Sequence, residues 1–218
     1  MGQQVHKYKN LLGREFHADR PNNKWITDIS YIQTKQGVLY LSMIRDLYDN
    51  SIVAYKTGTQ QTVNLVLGTI RLAMKREKRG VLRNFAPHSN QGFQYTLQAY
   101  FNLTQAYGIT PSMSRKGNLY DNAMAENFFS ILKTVCIYRH KPATFSEANE
   151  MIDRYFHFYN YERIQLKRER RHWRDASPPK TQYFLPRGFF VLSAQSGPVH
   201  ITADGFFYEE KITPEVLA

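Results

Sequence analysis

An α/β domain built on a mixed sheet is the fold class this sequence predicts. Three observations carry that expectation. The first part of the chain holds three β-rich runs joined by short turns. After residue 58 the pattern changes to helical periods alternating with short apolar runs. The 218 residues are 42% hydrophobic, so a core can form, and the 15 Tyr and 14 Phe argue against a disordered chain.

Residues 1–20 are polar and irregular and read as a leader or linker. KWITDISYI (24–32) alternates and is rich in Ile, Thr and Tyr, a strand pattern. Gly37 marks a turn, VLYLSMIRDL (38–47) is a second strand, Asp49-Asn50 a second turn, and SIVAYKTG (51–58) a third strand. Short turns make these an antiparallel meander. Residues 62–80 place Val63, Leu65, Val66, Ile70 and Ala73 near a helical period and end in a basic turn, with Gly80 as the expected C-cap. A short strand lies within 81–89, a helix over 96–108 and a fifth strand over 109–114. Helices follow over 124–138, with Phe128, Ile131, Leu132 and Val135 at core spacing, and over 145–161, with Ser146 as the expected N-cap. The order βββ-α-β-α-β-α-α implies a five-stranded mixed sheet with helices on its faces. The expected core domain spans 21–165. Residues 166–218 form a basic linker and a short tail, with strands at 188–194 and 199–210 as a candidate hairpin.

The composition narrows the function classes. The single cysteine, Cys136, excludes an intrachain disulfide and fits a reducing compartment. No run of 18 apolar residues exists, so no membrane partner is expected. The net charge of +11 points to a polyanion, and nucleic acid is the commonest one. The basic runs at 75–79 and 167–174 are candidate contacts.

Two acidic residues stand out. Asp28 lies inside a strand among apolar neighbours, where a carboxylate is disfavoured unless it is paired or bound to a cation. Glu126 lies at the start of a helix, where the helix dipole alone would account for it. Hard divalent cations take oxygen ligands that converge from separate elements, and phosphodiester chemistry uses two such ions about 4 Å apart. A strand Asp, a group at the end of a neighbouring strand and a helix Glu can converge in that way. HSNQGF (88–93) offers the group between them, Asn90.

WITDISY, HSNQGFQY and SRKGNLYDNAMAENFFSILK together resemble the catalytic core of bacterial insertion-sequence transposases with a retroviral-integrase-like DDE domain. Positions 91–125, 35 residues, separate Asn90 from Glu126, which is that family's D,D-35-E spacing. NLLGREF (10–16), RPNNKW (20–25) and YNYERIQ (159–165) fit as well, so the resemblance covers roughly residues 8–185. It implies an RNase H-like fold. It also implies Mg²⁺- or Mn²⁺-dependent cutting of transposon ends and joining of their 3′ hydroxyls to target DNA, on double-stranded DNA, by a homo-multimer in the bacterial cytoplasm. The site residues it implies are Asp28, position 90 and Glu126 as catalytic metal ligands. Lys133 falls seven residues after Glu126, on the same helix face, where the family has a basic residue that contacts DNA. Arg115, Lys116, Asn122, Arg163, Lys167 and Arg168 are further expected DNA contacts.

The chain departs from the family at its centre. The family pattern is HSDQG, and Asn90 supplies a carbonyl oxygen without charge. Weakened metal binding and little or no catalysis are therefore expected, with Asn90 read as an inactivating substitution, introduced or arising by decay. Leu119 stands where a Cys is usual, and Gln165 where a His is common. No helix-turn-helix is legible in residues 1–20. The competing readings are a non-catalytic DNA-binding derivative of a transposase and an RNase H-like nuclease that joins no strands.

Overall fold

The computed structural model describes residues 6–77, 86–163, 200–201 and 207–208. A five-stranded sheet has the order β3-β2-β1-β4-β5. Its strands are β1 (Lys24–Thr34), β2 (Gly37–Asp46), β3 (Ile52–Gly58), β4 (Ala86–Ser89) and β5 (Ser112–Met113). The meander β1–β2–β3 is antiparallel as expected, while β4 pairs with β1, and β5 with β4, in parallel. The mixed sheet is thus borne out.

Helices cover both faces because the strand residues alternate. Trp25, Ile44 and Val53 pack with Val66 and Ile70 of α1 (Val63–Arg76) and with Tyr100 of α3 (Gln98–Ala106). On the other face Ile32, Leu41, Met43 and Ile52 pack with Phe128 and Leu132 of α4 (Ala123–Leu132) and with Ile152 and Phe156 of α6 (Phe145–His157).

Several boundaries differ from expectation. Helix α1 stops at Arg76 with Glu77 as its C-cap, three residues before the expected C-cap Gly80, which lies outside the described residues. The helix expected over 96–108 is two helices, α2 (Phe93–Thr96) and α3, broken at the extended Leu97. A continuous helix would spend the Thr96 carbonyl on the amide four residues on. Here it accepts from the His6 amide at 2.7 Å instead. Strand β5 is two residues long because Pro111 has no N–H to lend to the ladder. The helix expected over 124–138 continues from α4 through a π-helical segment, Lys133–Ile137, into α5 (Tyr138–His140). On it Phe128 and Leu132 are buried as expected, but Ile131 is exposed and Phe129 takes a core place. The N-cap of α6 is Thr144, whose hydroxyl accepts from the Glu147 amide, and not Ser146.

Residues 6–18 lie on the domain as a strap. The Lys9 carbonyl accepts from the Met113 amide, and the Leu11 amide donates to Ser112 Oγ, so the strap runs beside the β5 edge. Leu12 and Ala18 are buried with Ile26 and Ala125.

By contacts the chain divides into units 1–178 and 179–218. In the second, His200–Ile201 pairs antiparallel with Phe207–Tyr208. Both short strands fall inside the 199–210 stretch. The run 188–194 and the basic run 167–174 lie outside the described residues.

Candidate active site

The parallel register of β1 and β4 assembles the site. Ile26 stands opposite His88, so two residues further on position 28 faces position 90. Asp28 is on the same face of β1 as Ile26 and Ile32, and it is 6% exposed.

Three N–H groups reach its carboxylate. The Ile29 amide and Asn90 Nδ2 donate to Oδ1 at 2.8 and 2.6 Å, and Asn122 Nδ2 donates to Oδ2 at 2.8 Å. All three donors are neutral. Burial raises Asp28 to about 6 from its ordinary 3.8, against the lowering pull of the Ile29 and Asn122 hydrogen bonds. The charge of Glu126 adds to the rise, and that of Lys133 opposes it.

The orientation of Asn90 is fixed from both sides. Its Oδ1 accepts from the Gly92 amide at 2.8 Å, a group that only donates. Its NH₂ therefore faces Asp28, which only accepts. A Cβ at Gly92 would stand 2.7 Å from Asn90 Oδ1, so a larger residue there would displace the Asn90 side chain. Asn122 closes the 3₁₀ turn Leu119–Asn122 that leads into α4, and its buried Oδ1 has no hydrogen-bond partner among the described residues.

Glu126 is in the first turn of α4 and is exposed. Lys133 opens the π-helical segment. Its Nζ lies 4.2 Å from the centre of the Tyr31 ring, and burial lowers its pKa while the Asp28 charge raises it. Single-turn π segments inside α-helices are frequent at functional sites.

The other expected residues are scattered. Lys116 is exposed after β5. Arg115 holds Asp121 with Nε and a terminal nitrogen, both at 2.9 Å. Arg163 lies over the Tyr159 ring at 4.7 Å. Lys167 and Arg168 lie outside the described residues. Sequence reasoning did not single out Asp121 or the strap residues Asn10 and Arg14 that bind it. The signal available was an Asp directly before Asn122 in the YDN run.

The side chains do not fit a pair of divalent cations as the chain stands. Among the described residues no three His, Cys, Asp or Glu side chains gather at one place. The gap between residues 28 and 90 is bridged by an N–H···O bond in which Asn90 turns its donor, not its oxygen, toward Asp28. A carboxylate at 90 in this geometry would set two anionic oxygens face to face, and only a cation or a proton between them would make that tolerable.

Comparison with known proteins identifies the family. Two models described as "Integrase core domain" match residues 18–119 and 107–164. An uncharacterized transposase-like protein of Haemophilus influenzae is 41% identical over 168 residues, covering 76% of each chain. This chain belongs to the insertion-sequence transposases with an integrase core. The putative transposase InsK of IS150 from Escherichia coli is 39% identical over 158 residues, 72% of this chain. The chain spans 55% of InsK, so it matches about half of that relative. The HTLV-2 integrase catalytic core domain, in a structure described as a complex with magnesium, shares the fold. Its TM-score is 0.54 at 13% identity, over 69% of this chain and 93% of that one. The RNase H-like architecture expected from the sequence is therefore the one present. Among the described residues no helix is long and apolar enough to cross a membrane.

Proposed function

We propose that this chain is the catalytic core of a DDE transposase that is silenced by Asn90. The site is laid out to cut transposon-end DNA and to join 3′ ends to target DNA. The observation that carries the reading is the 2.6 Å bond from Asn90 Nδ2 to Asp28 Oδ1, at the place where parallel register sets position 90 against Asp28. Asp28, a carboxylate at 90 and Glu126 would form the three-carboxylate set that takes Mg²⁺ or Mn²⁺ and supplies charge stabilisation to phosphodiester transfer. With Asn90 the set has two charges and a donor where a ligand is needed. Lys133, with Arg115, Lys116, Arg163, Lys167 and Arg168, is assigned to double-stranded DNA, whereas Asn122 is buried on Asp28; the working form is a homo-multimer on DNA in the bacterial cytoplasm.

Asn90→Asp tests this. With Mg²⁺ and matched transposon-end DNA, cleavage or joining should rise by at least about 10²–10³, the order that one transition-state stabiliser is worth. Asp28→Asn in that variant should abolish the gain, since the carboxylates act as a unit. An Asn90→Asp protein that neither cuts nor joins such ends contradicts the reading.

A second reading, a DNA-binding derivative that occupies ends without cutting them, is favoured by the same closed Asn90–Asp28 bond. Both readings require salt-sensitive DNA binding, motivated by the +11 charge. If six to ten phosphates are contacted, affinity falls by roughly 10³–10⁵ between 50 and 200 mM salt. A flat response in a polarisation assay contradicts both.

A further inference from the structure

The Asp121 carboxylate is buried, its side chain 0% exposed, beside the acidic site and outside it. It gathers donors from two places far apart in sequence. From the strap come Asn10 Nδ2 at 2.9 Å and Arg14 Nε at 3.3 Å. From the loop after β5 come the Arg115 backbone amide at 3.0 Å and its guanidinium in bidentate form. Bidentate arginine–carboxylate contacts are strong and directional.

The strap is shaped to make these contacts. Asn10 is fixed from both ends, because its Oδ1 accepts from the Gly13 amide while its NH₂ reaches Asp121. Gly13 and Arg14 both have positive φ, 57° and 67°. For arginine that conformation is unfavourable, and such residues persist where the surroundings over-determine them. Here the turn brings Arg14 back over Asp121, with its guanidinium 5.6 Å from the Tyr120 ring centre.

The residue after Asp121 is Asn122, which donates to Asp28, and four residues further on is Glu126. The 3₁₀ turn that carries Asp121 is thus the piece of backbone that delivers both groups to the site. We propose that Asp121 is a positioning residue, clamped by Arg115 and by Asn10 and Arg14 of the strap, that holds Asn122 on Asp28 and sets the start of the Glu126 helix. The segment ahead of the core thereby acts on the site through Asp121. This rests on the functional reading above only for its consequence in metal binding. The mechanical link stands on the contacts alone.

The test uses the chain as it is. The Asn122 side-chain NH₂ is followed in ¹H–¹⁵N spectra, identified by its loss in Asn122→Ser, with thermal unfolding in parallel. Asp121→Asn and Arg115→Ala should move the Asn122 resonance and speed its proton exchange about ten-fold, with Arg14→Ala a smaller change in the same direction. His6→Ala is the control. It removes a stack on Phe101 and a bond to Gln98 from the same strap, away from Asp121, and should lower the melting point without moving Asn122. Should Asp121→Asn fail to fold, Arg115→Ala, at an exposed side chain, decides alone. An unmoved Asn122 amide in the folded variants, or an equal shift in His6→Ala, overturns the proposal. In the Asn90→Asp background, added Arg115→Ala should weaken divalent-metal binding by about 10–100-fold, the usual effect of losing outer-shell support. If Asn90→Asp itself binds no metal, the reading of position 90 falls, while the Asn122 resonance still decides the clamp.

Discussion

Asp28 and Asp121 are both buried aspartates that accept several hydrogen bonds, yet their environments drive them in opposite directions. Every donor to Asp28 is a neutral amide, and burial raises it to about 6. The Arg115 guanidinium hydrogen-bonded to Asp121 holds that carboxyl well below the usual range, with Arg14 adding to the effect. Hydrogen bonds from neutral amides offset part of what a buried carboxylate loses in hydration, and adjacent cations offset more. Asp121 has its cations within the protein and is a structural anchor. The charge of Lys133 only partly opposes the burial of Asp28, and a carboxylate so perturbed in a site is a candidate functional group.

Deletion at the two sites should therefore differ. Asp121→Ala removes a charged acceptor from two guanidiniums and should cost about 4 kcal/mol, since hydrogen bonds to charged groups contribute roughly 1.5–3 each. Asp28→Ala removes a carboxylate that is itself costly at neutral pH and should stay within about 1 kcal/mol of the parent. Urea unfolding at pH 7 measures both, and equal losses would remove the distinction.

The pH dependence sharpens the same contrast. Because the Asp28 pKa is raised, the native state binds a proton between about pH 4 and 6 that the unfolded chain does not. Stability from this group therefore rises as the pH falls through 6, by up to about 3 kcal/mol for a shift of roughly two units. Asp121 is depressed, so its contribution is full above about pH 4 and is lost only below that. Burial lowers the pKa of His88, so its contribution opposes that of Asp28 as the pH falls. The difference between the parent and Asp28→Asn isolates the carboxylate. Unfolding midpoints between pH 7 and pH 5 should show the parent gaining stability relative to the variant, and identical pH slopes would contradict the assignment.

The smallest expected effect is at Lys133. Half-buried over Tyr31, it should change stability by less than about 1 kcal/mol on conversion to Ala, as most residues without a core role do. DNA binding should weaken. A sharp drop in melting point with unchanged DNA affinity would make Lys133 a structural residue.

What the sequence made legible was local. The meander, the strand around Asp28 and the helix around Glu126 follow from periodicity, and the spacing from Asn90 to Glu126 is visible without coordinates. What was hidden depends on partners distant in the chain. The break at Leu97 arises because His6 takes the Thr96 carbonyl, an interaction across 90 residues. The strap read as a polar leader because its role lies in single contacts of Asn10 and Arg14, which have no period. From the sequence Asn122 reads as a DNA contact, whereas its amide meets Asp28, 94 residues earlier. The N-cap of α6 was misplaced by two residues because Thr144 and Ser146 are both good caps, and Glu147 decides between them.

Divalent-metal binding by the Asn90→Asp variant, read by calorimetry beside the parent, tests the central claim most directly. Replacing the donor at 2.6 Å from Asp28 with a second carboxylate should make the variant less stable than the parent without metal. Mg²⁺ or Mn²⁺ should then bind with measurable heat and restore its melting point, while the parent shows neither effect. A variant that binds metal no better than the parent would contradict the account of position 90.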